Sequence, residues 1–208
     1  MAGRLSREES RTQTRERLLA AAEALFVERG VGGASVEQIA ERAGFSRGAF
    51  YGNFEGKHEL VLALLERRTE RELEEVSALG EGASSFAEVL ERLRGFHRRR
   101  AEHLEHWYAM RAELLLYALR HPEARPRLAR REYLARRALA EGVAEALSRH
   151  GAAPPADPAF LGLIVHALED GLTVQRLIAP DGVGGEAAVD AFELLLKTWA
   201  ASASKETT

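Results

Sequence analysis

At 208 residues and 46% apolar composition, the chain is long enough for one large or two small domains with a buried core. It contains no cysteine, which excludes disulfides, thiolate metal sites and cysteine nucleophiles and fits a reducing compartment. A formal net charge of −3 excludes a protein coated in positive charge, so any contact with nucleic acid has to be local.

Apolar residues recur at three- and four-residue spacing in almost every segment, and no stretch alternates apolar and polar with β-branched enrichment, so the chain is predicted to be all-α. Residues 1–10 read as a flexible arm and 202–208 as a flexible tail. No stretch carries the roughly 18 apolar residues of a spanning helix, and the start MAGRLSREESRTQTRER lacks the apolar centre of a secretory signal. A cytoplasmic protein with no membrane partner is expected.

The first predicted helix runs from Thr12 to Arg29, with Leu18, Leu19, Ala22, Leu25 and Phe26 on one face, and stops at Gly30. Ser35 is placed to cap a short second helix bearing Val36, Ile39, Ala40 and Ala43, with Gln38 three positions on completing a capping box. Gly44 ends it, and Ser46 caps a third helix carrying Phe50, Tyr51 and Phe54. This is what a helix-turn-helix needs physically. A small Ala40 lets two helices cross closely, Gly44 tolerates a tight turn, and Val36, Ile39, Phe45 and Phe50 make a miniature core. The first turn of the third helix, Arg47, Gly48 and Ala49, is then free to enter a DNA major groove.

Longer helices are predicted at 58–79, 85–99, 102–120, 123–150, 158–179 and 186–201, divided by GEGAS, HP, GAAPPAD and APDGVGG. The organisation expected is a helix-turn-helix domain at 11–57 and a second helical domain at 58–201, about nine helices in all.

The stretch SVEQIAERAGFSRGAFYGNFEGKHELV resembles the signature of the tetracycline-repressor family over about residues 14 to 62. The resemblance implies a transcriptional repressor that is not an enzyme. Carried over by position, it makes Arg47 the base reader, facing the O6 and N7 acceptors of guanine, with Gly48 and Ala49 permitting close approach to double-stranded DNA. It also puts Ser35, Tyr51 and Lys57 on phosphates and Asn53 where the family often has a polar DNA contact, while Gly52 replaces a residue that is commonly larger.

One recognition helix reads too few bases to be specific, so a homodimer is expected. Phe160, Ile164, Leu168 and Gly171 on one late helix and Phe192, Leu196 and Trp199 on the next supply its surface, and the resemblance implies a four-helix bundle across a two-fold axis. Trp107, Met110, Leu114 and Tyr117 lie along one helix face and, with Phe86 and Tyr133, are candidates for an apolar effector pocket, although such a stripe is by default plain core. No cofactor is expected beyond a small-molecule effector. Two rival readings stand beside this one. His97, His103 and His106 near Glu102 and Glu105 suggest a metal-dependent helical enzyme, though the Glu-x-x-His pairs of a di-iron bundle are missing. Alternatively, the helix-turn-helix binds a protein.

Overall fold

The computed structural model describes residues 6–80, 85–149 and 151–203, and every regular element among them is a helix. In chain order these are α1 (Arg7–Gly33), α2 (Val36–Arg42), α3 (Arg47–Tyr51), α4 (Lys57–Gly80), α5 (Phe86–Ala101), α6 (Leu104–Arg120), a 3-10 turn at Pro122–Ala124, α7 (Arg125–Arg149), α8 (Pro158–Ile178) and α9 (Ala187–Ala203). None is long and apolar enough to cross a membrane.

The chain enters α1 earlier than expected. The Ser6 hydroxyl accepts the Glu9 N–H at 3.1 Å and the Glu9 carboxylate accepts the Ser6 N–H at 2.7 Å, a reciprocal cap that starts the helix at Arg7. Residues 7–10, read from sequence as arm, therefore belong to α1, with Ser6 as its cap; residues 1–5 and 204–208 lie outside the described residues. Helical geometry fails at Gly30, whose φ of 73° and ψ of 161° divide α1 from one last turn at Val31.

Two compact units result. The first takes the described residues up to Thr69 together with His106–Ala129; the second takes Glu70–Glu105 and the described residues from Arg130 on, so the division falls within α4, α6 and α7. The core of the first unit joins Leu18, Ala22, Leu25 and Phe26 of α1 to Ile39, Phe50, Phe54, Leu60 and Leu64, closed by Met110 and Leu114 of α6. Arg67 of α4 donates to Glu16 and Glu23 of α1 at 3.0 and 2.8 Å, and Arg125 caps α6 through the carbonyls of Ala118 and Leu119.

The core of the second unit is built from Val143, Ala146, Leu147, Leu161, Val165 and Leu196, with Phe192, Leu195 and Trp199 packed on it. α8 crosses α7 at Gly162, where a Cβ would stand 2.7 Å from the Arg136 carbonyl oxygen and 2.8 Å from the Ala140 nitrogen. The one buried charged side chain among the described residues, Arg131, is satisfied by Glu72 and Glu132 at 2.6 Å each, and Glu132 goes on to His166 at 2.8 Å.

Candidate nucleic-acid interface

α3 has five residues, too few to be stable alone, so its order is imposed by caps and core. Ser35 caps α2, its Oγ accepting from Gln38 N at 3.2 Å while Gln38 Oε1 accepts from Ser35 N at 3.0 Å. Ser46 caps α3 by accepting from Ala49 N at 3.2 Å. Between them Gly44 adopts φ 77° and the Phe45 N–H reaches the Ala40 carbonyl at 2.9 Å, which turns the chain from one helix to the other. Phe50 and Phe54 point into the core, 5.7 Å apart, with the Arg15 guanidinium 4.2 Å from the Phe54 ring centroid.

With its rear held, α3 presents Arg47, Gly48 and Tyr51 to solvent, and Ala49 half so. The Arg47 side chain is 64% exposed and rests 3.1 Å from Glu37 of α2 and 3.5 Å from the Tyr51 hydroxyl. The Glu37 carboxyl is held below its ordinary value, first by its own backbone N–H and further by Ser35 and Arg47. An exposed ion pair of this kind holds weakly, so Arg47 can exchange its carboxylate for a phosphate or a guanine edge.

Two residues expected at the DNA surface are turned inward. Lys57 donates from Nζ to the carbonyls of Val31 at 2.9 Å and Ala34 at 3.0 Å, securing the join of α1 and α2 with two of its three N–H groups. Asn53 donates from Nδ2 to the Ala49 carbonyl at 2.8 Å, its own carbonyl accepts from Arg15 at 2.9 Å, and its Oδ1 is buried without a partner. In each case carbonyls near the C-terminal end of a helix, α3 for Asn53 and α1 for Lys57, lack intrahelical donors, and a nearby side-chain donor reaches them.

The residues expected around an effector pocket are divided between the two units. Met110 and Leu114 are sealed in the core of the first unit, and Tyr117 packs beside that core with its hydroxyl 2.7 Å from His58 Nδ1. Trp107 is half-buried on the same helix, Tyr133 of the second unit is exposed, and the Phe86 side chain lies outside the described residues. The second unit instead holds a cavity of about 50 Å³ lined by Leu93, His97, Leu139, Val165, Leu168, Glu169, Ala188, Phe192 and Leu195. His97 Nε2 lies 3.9 Å from Glu169 in it, and burial pushes the imidazole below its ordinary value against the pull of that carboxylate.

The expected dimer residues also divide. Phe160 and Gly171 face solvent, and Ile164 and Trp199 are half-buried; Leu168 and Phe192 line the cavity, and Leu196 is buried in the core. α8 and α9 are apolar on more than one side, so helical spacing alone did not say which leucine turns in. The outward side is marked by Phe160, Leu163 and Ile178 of α8 and by Leu194 of α9, the last two 76% and 67% exposed.

The pattern of bacterial regulatory proteins of the tetR family matches residues 18–64, and that of the C-terminal part of BetI-type transcriptional repressors matches residues 87–201. The chain belongs to the TetR family of DNA-binding transcriptional regulators, which are not enzymes. It is similar to the regulator SrpR of Pseudomonas putida, 46% identical over 56 residues that cover 27% of this chain and 26% of SrpR, so the likeness spans about a quarter of that relative's length. Two solved structures resemble the chain throughout. A TetR-family regulator from Rhodococcus sp. matches at TM-score 0.71 and 25% identity, covering 91% of this chain and 99% of that one. SmeT of Stenotrophomonas maltophilia, in its triclosan complex, matches at TM-score 0.64 and 26% identity, covering 86% and 88%.

Proposed function

We propose that this regulator is a repressor that binds a palindromic operator as a homodimer and leaves it when a small apolar or aromatic effector enters the second unit. The observation that carries the reading is the division of labour in α3: Phe50 is buried in the core while Arg47, Gly48 and Tyr51 are exposed beside it. A helix anchored on one side and presented on the other is the form that major-groove reading requires.

Dimerisation is supported by the outward side of α8 and α9. Gly171 lies on it with nothing within 4 Å of a Cβ position, so a second copy's helix can approach closely there. Phe160, Leu163, Ile178 and Leu194 supply the apolar area such an interface buries. Repression accords with the BetI-type repressor pattern over residues 87–201 and with SmeT, described as the repressor of a multidrug efflux pump.

An apolar or aromatic effector is supported by the lining of the second-unit cavity and by SmeT's complex with triclosan. Leucine, valine and phenylalanine walls want apolar surface, and His97 with Glu169 offers one polar anchor. The cavity is about 50 Å³, whereas a drug-sized ligand fills roughly 300 Å³ or more, so binding has to part α5, α7, α8 and α9. A ligand that favours the parted form shifts the population away from the DNA-binding one.

The test is selection of the purified protein against a pool of random duplexes, with sequencing of those retained and sedimentation of the complex. An enriched inverted repeat bound by two chains is expected. Enrichment of a single, unrepeated site bound by one chain excludes the dimeric reading.

A further inference from the structure

We propose that His58, His121 and Glu123 form a binding site for a divalent late transition-metal ion of the zinc class. The three side chains come from two distant segments of the sequence and meet in the first unit, where α4 begins and the corner between α6 and α7 turns. His121 Nδ1 lies 3.4 Å from Glu123 Oε1 and His58 Nδ1 lies 3.9 Å from the same oxygen; the three ligand atoms all fall within 4.8 Å of one another. A tetrahedral ion bound at about 2.0–2.2 Å holds its ligands about 3.3 Å apart. The His121–Glu123 edge already has that spacing, and the widest edge has to close by about 1.5 Å, a small rotation for exposed side chains.

The rings are held ready without an ion. Tyr117 stacks on His121 with centroids 4.1 Å apart and planes at 23°, and its hydroxyl sits 2.7 Å from His58 Nδ1. When Nδ1 turns its lone pair to a metal, that hydroxyl is released beside the ion, where it serves as a fourth ligand or bonds to a bound water. Side-chain exposures of 41% for His58, 44% for His121 and 56% for Glu123 leave the way in open.

Two imidazoles and one carboxylate suit Zn²⁺, Co²⁺, Ni²⁺ and Cu²⁺, whereas Ca²⁺ and Mg²⁺ require a shell of oxygens. Position gives the site a consequence. His58 follows Lys57, whose ammonium secures the α1–α2 join through Val31 and Ala34. An ion there ties the first turn of α4 to the α6–α7 corner and so stiffens the first unit.

The experiment is calorimetric titration of the full chain, untagged and freed of metal by chelation, with zinc chloride. About one equivalent is expected to bind, His121→Ala is expected to weaken it by more than about tenfold, and Glu123→Gln also to weaken it. Zinc raises the unfolding temperature of the wild type and not of His121→Ala. A His103→Ala/His106→Ala double variant, which removes two exposed histidines elsewhere, leaves both readouts unchanged. No saturable binding, or binding that survives in His121→Ala and is lost in the double variant, overturns the proposal.

Discussion

Glu113 of α6 accepts the N–H of Val31 at 2.8 Å, and so completes the bend at the end of α1 that Gly30 begins. A Cβ on Gly30 would stand 3.1 Å from the same Glu113 oxygen, on a backbone at φ 73°. The bend thus depends on one residue for its shape and on the other for its hydrogen bond.

Glu113→Ala removes a charged acceptor from a partly buried N–H and is expected to lower stability by about 1.5 kcal/mol. Gly30→Ala is expected to cost about 1–2 kcal/mol through the strain of its positive φ. Urea unfolding of each variant measures both; an unchanged midpoint for Glu113→Ala means that the bend holds without its acceptor.

Two glycines of α8 should behave oppositely. Gly162→Ala drives a methyl into the α7 backbone and is expected to destabilise by about 2 kcal/mol or more. Gly171→Ala meets open space within its own chain, improves helix propensity by up to about 1 kcal/mol, and is expected to weaken self-association. Thermal melts, followed by sedimentation at several concentrations, separate the effects.

Arg47→Ala should leave the melting temperature unchanged, reduce operator affinity and relax base preference, since its side chain is exposed and outside the core. Lys57→Ala should lower both melting temperature and affinity, because its ammonium secures the α1–α2 join. The salt slope distinguishes the roles: a lost phosphate contact flattens it by about 0.9, and a lost internal tether does not.

Burial holds His97 below its ordinary value of 6.5, outweighing the Glu169 carboxylate, and Arg100 and Arg176 add to the depression. As pH falls the unfolded chain takes up this proton before the folded one, so stability is full above 6.5 and declines as pH drops through the folded value. His97→Gln is expected to reduce the loss of urea midpoint between neutral and mildly acidic buffer. An equal loss in both proteins assigns the pH response to other groups.

Local signals carried the helix-turn-helix, because Ser35 with Gln38 and Ser46 with Ala49 act within three residues. The same motif at Ser6 and Glu9 went unread, since the charged, aperiodic residues around it carry no apolar stripe to mark a helix. Contacts between distant segments were beyond reach. Nothing near Lys57 announces the carbonyls of Val31 and Ala34, and nothing near His58 announces Tyr117 or His121. In the late helices the difficulty was an excess of signal. Leu194 and Leu196 are both leucines of an apolar helix, and only the packed neighbours decide that the first faces out and the second in.

The separation within α3 between a buried Phe50 and an exposed Arg47, Gly48 and Tyr51 also bears on how such a regulator changes over generations. Exposed substitutions away from caps and cores alter stability little, whereas those in the core usually cost much. On the reading proposed above, operator preference can therefore drift at positions 47 and 48 without endangering the fold, and a duplicated copy of this gene can acquire new target sites by surface mutation alone.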